Sequence, residues 1–367
     1  MTDHPSRRGL LAGAVAAPFI ARAAMAQQPA AAPAQPAQQP PTGPQVAPPA
    51  APLKPPYPVV GSIERLDPAL DALIDINSPV EKVLDGYVWC EGPVWVGGAN
   101  GMLLTSDVRA NQIFSWSPTA GGSVWVKPSG YKGPNGEEWA PVFREPGTNG
   151  LMLGRGGVVA CDCGTRAIVR YDIRTKAKTI LADRYQGKRF NSPNDLTLHP
   201  DGSIYFTDPP YGLWGVADSP LREMTYTGVF RLAPDNSVTL VADDVFPNGI
   251  GLTPDGKRLI TTDRAGWQQW DLDAQGKASN KRIFIGRDAV QGGDGFKIDA
   301  AGNVWASSRD GISVFNPAGK RIGIIKADQV ISNCEIGADG YLYMSSNVRL
   351  IRVKLKPAVK KLLRSNI

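Results

Sequence analysis

The sequence predicts an all-β fold: a six-bladed β-propeller of four-stranded antiparallel blades around a central channel. Three observations point there. Forty glycines and 32 prolines in 367 residues supply the turns of a chain that reverses often. Six stretches repeat one design at spacings of 39 to 58 residues. Apart from a short "DPALDALI" at 67–74, no segment sustains a helical period.

The repeated stretches are "EGPVWVGGANGMLLTSD" from Glu91, "NGLMLGRGGVVACD" from Asn149, "NDLTLHPDGSIYFTD" from Asn194, "NGIGLTPDGKRLITTD" from Asn248, "DGFKIDAAGNVWASS" from Asp294 and "NCEIGADGYLYMSS" from Asn333. Each opens on an acid or amide, alternates apolar residues, turns at a glycine and alternates again, as a β-hairpin does. The offset from opener to turn glycine is eight at Asn149→Gly157, Asn194→Gly202, Asn248→Gly256 and Asp294→Gly302, seven at Asn333→Gly340 and ten at Glu91→Gly101. The "DG" pairs at Asp201-Gly202, Asp255-Gly256 and Asp339-Gly340 read as hairpin turns.

Further strands follow inside the units, among them "NQIFSW", "AIVRYDI", "GVFRLAP", "GWQQWDL" and "GISVFNP". A unit of this length holds four strands of about five or six residues with their turns. An all-β ring must also hide its edges. The extra strand "PVEKVLDGY" at 79–87 is therefore predicted to complete the blade whose other strands come from the C-terminal "YLYMSSNVRLIRVKL".

Ahead of the repeats, residues 1–26 read as an export signal: Arg7 and Arg8 after Ser6, a weakly apolar stretch, and a cleavage site at Ala24-Met25-Ala26. The paired arginines resemble a twin-arginine signal, so a periplasmic or secreted protein with no integral membrane span in its mature form is expected. Residues 27–58, almost wholly Ala, Pro and Gln, cannot bury apolar surface and read as an extended, disordered tether. The propeller domain takes 59–367.

Arg7, Arg8 and Arg22 against Asp3 carry +2 of the chain's net +6, which leaves +4 beyond the signal. With no dense basic cluster outside the tail "KLKPAVKKLLR", that excess argues against a nucleic-acid partner. Cys90 and Cys334 fall in repeats that a closed ring makes neighbours, where a bridge is conceivable; Cys161 and Cys163, two apart on one strand, are expected as buried thiols.

In a propeller the first strand of each blade lines the channel, so equivalent positions share one height. The six openers Glu91, Asn149, Asn194, Asn248, Asp294 and Asn333 should then ring one mouth, with two carboxylates, four amides and no Lys, Arg or His among them. Two carboxylates brought together without a cation repel, and a divalent metal resolves this. All-oxygen donors select a hard ion, calcium ahead of magnesium or manganese, with zinc less natural. His199, the one histidine beyond the signal, sits in the turn "HPDG" away from the openers. The chain therefore has no nucleophile–histidine pair at the mouth, and it lacks a GxSxG elbow, a P-loop and a dinucleotide glycine pattern.

In order and spacing, "EGPVW", "SPNDLTLHPDGSIYFTDPPYGL", "FPNGIGLTPDGKRLITTD" and "GGDGFKIDAAGNVW" resemble the gluconolactonase/regucalcin family over residues 61–356. That family in turn resembles propeller-type phosphotriesterases. The resemblance implies a calcium-type site of Glu91, Asn194, Asn248 and Asp294, with Asn194 shared between metal and substrate and Asp294 as acid/base. It also implies a departure: where many bacterial members read "CEHG", this chain reads "CDCG", with Cys163 in place of the histidine.

The function expected is hydrolysis of a sugar lactone, with the metal polarising the ring carbonyl, Asp294 activating water or attacking directly, and Asn149, Asn194 and Tyr211 lining the pocket. The loops 127–147 and 212–228 are long enough to act as a lid. Hydrolysis of another lactone, an ester or a phosphotriester on the same metal, and a non-catalytic propeller binding a sugar acid or a partner, are the alternatives.

Overall fold

The computed structural model describes residues 43–46 and 53–362, all within the unit Pro40–Ile367. The export-signal reading of 1–26 and most of the tether reading of 27–58 lie outside the described residues. The tether range does not end as free chain: Leu53 and Tyr57 pack into the apolar core, and the Arg352 guanidinium lies 5.1 Å over the Tyr57 ring. Among the described residues no helix is long and apolar enough to cross a membrane.

The strands form β-propeller blades. Blade 1 runs Cys90–Val96, Met102–Asp107, Gln112–Ser117 and Gly121–Val126, each strand antiparallel to the one before. Blades 2 to 5 repeat this, with inner strands Thr148–Gly154, Leu196–Leu198, Pro247–Leu252 and Phe296–Ile298. Blade 6 takes Asn333–Ile336, Tyr341–Ser346 and Arg349–Lys354 from the C-terminal region, and Val80–Asp85 pairs antiparallel with the last of these as its outer strand. The inner strands touch cyclically, blade 6 against blade 1 included, so the ring closes. That closure is the one expected for "PVEKVLDGY".

One strand was not foreseen. Val59–Arg65 pairs with Arg321–Ala327, the outer strand of blade 5, and through Val59 and Gly61 with the outer strand of blade 6. It joins two blades into a nine-stranded sheet and covers two edges at once. The segment "DPALDALI" folds as a short 3₁₀ turn, Pro68–Ala72, capped by Asp67, whose carboxylate accepts from Ala69 N at 2.8 Å.

Burial follows each strand's place in its blade. Gly157–Asp162, second in blade 2, is buried along its whole length, because neighbouring blades pack on both of its faces. Outer strands carry the charge: in Ala278–Ile285 the exposed run includes Lys281 and Arg282, which keep an open edge soluble. Between successive blades lie apolar clusters, such as Val94, Leu104, Leu151 and Val158 between blades 1 and 2, and Trp305, Ile312, Leu342 and Ile351 between blades 5 and 6. The turn glycines Gly202, Gly256 and Gly340 sit at φ of 85°, 70° and 80°, the left-handed region that "DG" turns require.

The channel has two unlike ends. Opposite the openers, the inner strands enclose a cavity of about 480 Å³ lined by Val94, Leu151, Leu196, Ile250, Phe296 and Ile336. None of the six openers lines it, so this apolar cavity is not where the polar residues converge.

Ile351, fully buried between blades 5 and 6, tests the closure. Ile351→Ala is expected to cost about 2–5 kcal/mol in urea unfolding. Loss well below this range would mean the closing blade is not part of the cooperative core.

Candidate active site

The residue after an opener decides how closely the inner strands approach. A Cβ on Gly92 would overlap the Asn149 carbonyl, one on Gly150 the Asp195 carboxylate, one on Gly249 the Asp294 carbonyl, and one on Gly295 the Asn333 side chain. Each glycine thus lets its blade seat against the opener of the next. The ring closes at Asn333, whose Nδ2 donates to Glu91 Oε2 at 3.2 Å.

Hydroxyl groups from the second strands and their approaches tie the ring together. Ser106 Oγ donates to the Asn149 carbonyl at 2.7 Å, Thr207 Oγ1 to the Asn248 carbonyl at 2.7 Å and Thr262 Oγ1 to the Asp294 carbonyl at 2.8 Å. Ser332 Oγ closes onto the Cys90 carbonyl at 3.1 Å. Each bond runs from one blade to the opener region of the next, so the backbone of the ring is held between blades.

A second device sets the loop leading into an opener. Asp107, ending the second strand of blade 1, accepts from Val88 N and Trp89 N, both at 3.0 Å, just ahead of Glu91. Asp208 accepts from Asn191 N at 2.7 Å and Ser192 N at 2.8 Å ahead of Asn194. Asp263 does the same for Phe246 N at 2.6 Å ahead of Asn248. Burial pushes the Asp208 carboxyl up to about 7. These hydroxyls and aspartates were not read from the sequence, although the recurrent strand endings "TSD", "FTD", "TTD" and "ASS" carry the signal.

The opener side chains differ in what they have left to offer. Glu91 is buried, and Gly92 N donates to its Oε2 at 2.8 Å. Burial raises Glu91 to about 7, with the negative charge of Asp195 adding to the effect. Asp294, half-buried, stands well above the ordinary carboxylate range, first through desolvation and then through the charges of Glu91, Asp195 and Glu145. Asn333 is committed to the protein: beyond its bond to Glu91, its Oδ1 accepts from Cys334 N at 2.9 Å. Asn248 is not, since its Oδ1 is buried without a hydrogen-bond partner. Asn149 and Asn194 are each buried to 6% exposure on the same ring.

Asp195 stands where four other stretches carry glycine, and the structure separates it from its neighbour Asn194. Its Oδ1 accepts from Leu196 N at 2.9 Å, and its Oδ2 is buried without a partner. Lys297, three residues beyond Asp294, answers its charge: burial works against the lysine, but Asp195 and then Glu335 hold it above the ordinary lysine range. A cation therefore lies near the axis although none occupies an opener position.

These residues suit a hard divalent ion. Glu91 raises the proton affinity of Asp294, Asp195 raises that of both, and no lysine or arginine bonds to either carboxylate. The orphaned Asn248 Oδ1 is an oxygen donor with nothing to hold. Among the described residues no three His, Cys, Asp or Glu side chains form a metal site, so an ion here takes amide oxygens as well as the two carboxylates.

Above the ring, Tyr211 is half-buried, edge-on to Phe246 at 5.5 Å, and its hydroxyl is raised first by burial. Arg264 lies 4.0 Å over the other ring, Phe246. The two long loops pair with each other: Arg144 N and Glu145 N both donate to the Gly212 carbonyl, at 2.9 and 3.1 Å, and Trp214 N donates to the Val142 carbonyl at 2.9 Å. They form one joined cover on this side of the molecule.

The remaining candidates fall elsewhere. His199 stays in its turn, with Asp201 N donating to its Nδ1 at 3.2 Å and its ring edge-on to Tyr205. All four cysteines are free and buried. Cys90 and Cys334 belong to different apolar clusters, on opposite sides of blade 6, which overturns the conceivable bridge. Cys163 Sγ donates to the Pro193 carbonyl at 3.4 Å, next to Asn194.

Residues 89–348 match the SMP-30/Gluconolactonase/LRE-like region family. A gluconolactonase of Zymomonas mobilis is 40% identical over 313 residues, covering 81% of this chain and 87% of that protein. The solved gluconolactonase of Xanthomonas campestris superposes with a TM-score of 0.70 at 28% identity, over 85% of this chain and 99% of that one. The calcium-binding protein regucalcin of Agrobacterium tumefaciens, 17% identical, shares the fold with a TM-score of 0.59 over 75% of this chain and 92% of that one.

Gly92 joins two constraints, a φ of 50° and no space for a Cβ. Gly92→Ala is expected to lose about 2–5 kcal/mol in chemical denaturation. A loss under 0.5 kcal/mol would show that the ring tolerates wider strand spacing.

Proposed function

Because the chain belongs to the SMP-30/Gluconolactonase/LRE-like family, we propose that this gluconolactonase-like hydrolase opens a sugar lactone on a divalent cation held at the channel mouth, with Asp294 moving the proton. One observation carries this reading: two carboxylates, buried Glu91 and half-buried Asp294, share one ring with amide oxygens and no bonded cation. A ring kept only for structure would gain by replacing them.

Glu91, Asn248 and Asp294 would hold the ion, with Asn194 between ion and substrate; oxygen donors of this kind favour calcium over zinc. When bound, a divalent cation supplies Lewis-acid polarisation of the lactone carbonyl and compensates the two carboxylates. Asp294 takes a proton from the attacking water as the water oxygen bonds to the carbonyl carbon. As the ring C–O bond breaks, Asp294 returns the proton to the departing ring oxygen and leaves an open-chain hydroxy acid. Asn149 and Asn194 orient substrate hydroxyls, since a carboxamide both donates and accepts. Tyr211 supplies an apolar wall, and the joined loops limit water.

Asp294→Asn keeps the shape and removes the base. Hydrolysis of D-glucono-δ-lactone is expected to fall at least about 100-fold in kcat, and full activity would overturn the assignment. A panel adding an aryl ester and a phosphotriester tests substrate class, with the lactone expected to be turned over fastest.

The raised carboxyl of Glu91 gives a pH signature. Its proton must leave before an ion binds, so calcium affinity measured by calorimetry should tighten as pH rises from 5.5 and level off above about 7. Without the ion the sign is opposite. A carboxyl whose folded pKa lies above its unfolded value loses stability as pH rises between the two, so the melting temperature of chelator-treated protein should fall from pH 5 to 7.5. Calcium affinity independent of pH would remove Glu91 from the ligand set.

A further inference from the structure

Glu145 sits four residues before the opener Asn149, on the loop that joins blades 1 and 2. It is buried to 5% exposure, and its side chain to 7%. Its backbone is fixed, because its own N–H and that of Arg144 both bond to the Gly212 carbonyl, next to Tyr211. Its carboxylate is not, since the nearest cation is Arg144 Nε at 3.9 Å, beyond hydrogen-bond range. A carboxylate this buried normally accepts several hydrogen bonds.

The loop geometry fixes the backbone of Glu145 beside the opener Asn149. Gly147 N bonds to the Val108 carbonyl at 2.8 Å and Cys163 N to the Gly147 carbonyl at 3.2 Å, which pins the segment across the top of blades 1 and 2. From there its charge acts on Asp294 and on Cys163. Arg109, 4.8 Å over the Trp89 ring and with its Nε buried without a partner, faces the same carboxylate electrostatically. Burial raises the Glu145 carboxyl above the ordinary range and the charges of Arg144 and Arg109 pull it part of the way back, so it is oriented by its backbone and left with free acceptor capacity beside the site.

We propose that Glu145 is a specificity-determining residue of the lactone site: its carboxylate accepts hydrogen bonds from the hydroxyls of a polyhydroxylated ring and selects sugar lactones over unsubstituted ones. This rests on the lactonase reading above. The ring amides can donate or accept, but a carboxylate only accepts, so it suits hydroxyl groups and offers nothing to a bare methylene. The charge-assisted bond is of the stronger kind, and a site built to bond a hydroxyl discriminates against the analogue that lacks it.

The test compares wild type with Glu145→Gln on D-glucono-δ-lactone and δ-valerolactone, alongside calorimetric binding of the neutral mimic D-glucono-δ-lactam. The variant is expected to raise KM for gluconolactone and weaken the lactam about tenfold, with kcat, the melting temperature and kcat/KM for valerolactone within twofold or 2 °C of wild type. Glu145→Asp, which keeps an acceptor, should recover part of the lactam affinity. Equal losses on both lactones, or unchanged lactam affinity, would overturn the role. A role confined to holding the loop would lower the melting temperature and both activities together, which also overturns it. If wild type binds the lactam but opens neither lactone, the hydrolase reading fails, and the lactam comparison still decides Glu145. If Glu145→Gln does not fold, the same comparison on Glu145→Asp decides, with about threefold weaker lactam binding expected and no change overturning the role.

Discussion

Close approach of the inner strands is the constraint on which the rest of this structure depends. The openers can share one ring only because the residues after them, Gly92, Gly150, Gly249 and Gly295, leave no Cβ between one blade and the next. Where the chain departs from glycine, the side chain needs a home of its own. Cys334 finds one by donating to the Trp305 carbonyl at 3.1 Å in the core between blades 5 and 6. Asp195 keeps one oxygen bonded to the following backbone and leaves the other orphaned near the axis, where the charge of Lys297 offsets it.

Packing the strands this tightly has an electrostatic consequence. Carboxyl groups confined at the mouth lose water, and each raises the proton affinity of the next. The fold relieves this by keeping most openers as amides and by spending carboxylates only where they do distinct things. Asp107, Asp208 and Asp263 take backbone N–H groups and shape the entering loops. The charges of Glu91 and of Glu145, on the loop ahead of Asn149, both raise the proton affinity of Asp294. The same residue type thus serves as strut, as candidate ligand and as rim, according to how many of its lone pairs the backbone has already taken.

The ring architecture was legible because it repeats. One opener is a turn residue; six in register define a mouth, and the need of a ring to hide its edges exposed the closing strand at 79–87. The strand Val59–Arg65 was not legible, because "VVGSIER" belongs to no repeat and its role is to cover edges formed by two distant blades. The packing of Tyr57, within the Ala/Pro-rich stretch 27–58, was not legible for a related reason: the Arg352 that stacks on it lies almost 300 positions later. Cys90 and Cys334 were near in the ring but belong to different cores, a matter of side-chain direction that strand counting does not carry.

By itself the sequence determined the blade repeat, the opener positions and the residues that can ligate a hard ion, since alternation and turn chemistry are local and survive without neighbours. Only the tertiary structure decided which openers remain available. Asn333 is consumed by Glu91 and by its own backbone, whereas Asn248 keeps an unpaired oxygen, and nothing in the two motifs distinguishes them. Glu145 is the extreme case. It lies outside every repeat, and its place beside the ring exists only because two loops far apart in the chain meet at the Gly212 carbonyl. Hydrogen bonds and burial are properties of pairs, and those pairs form only when the ring has closed.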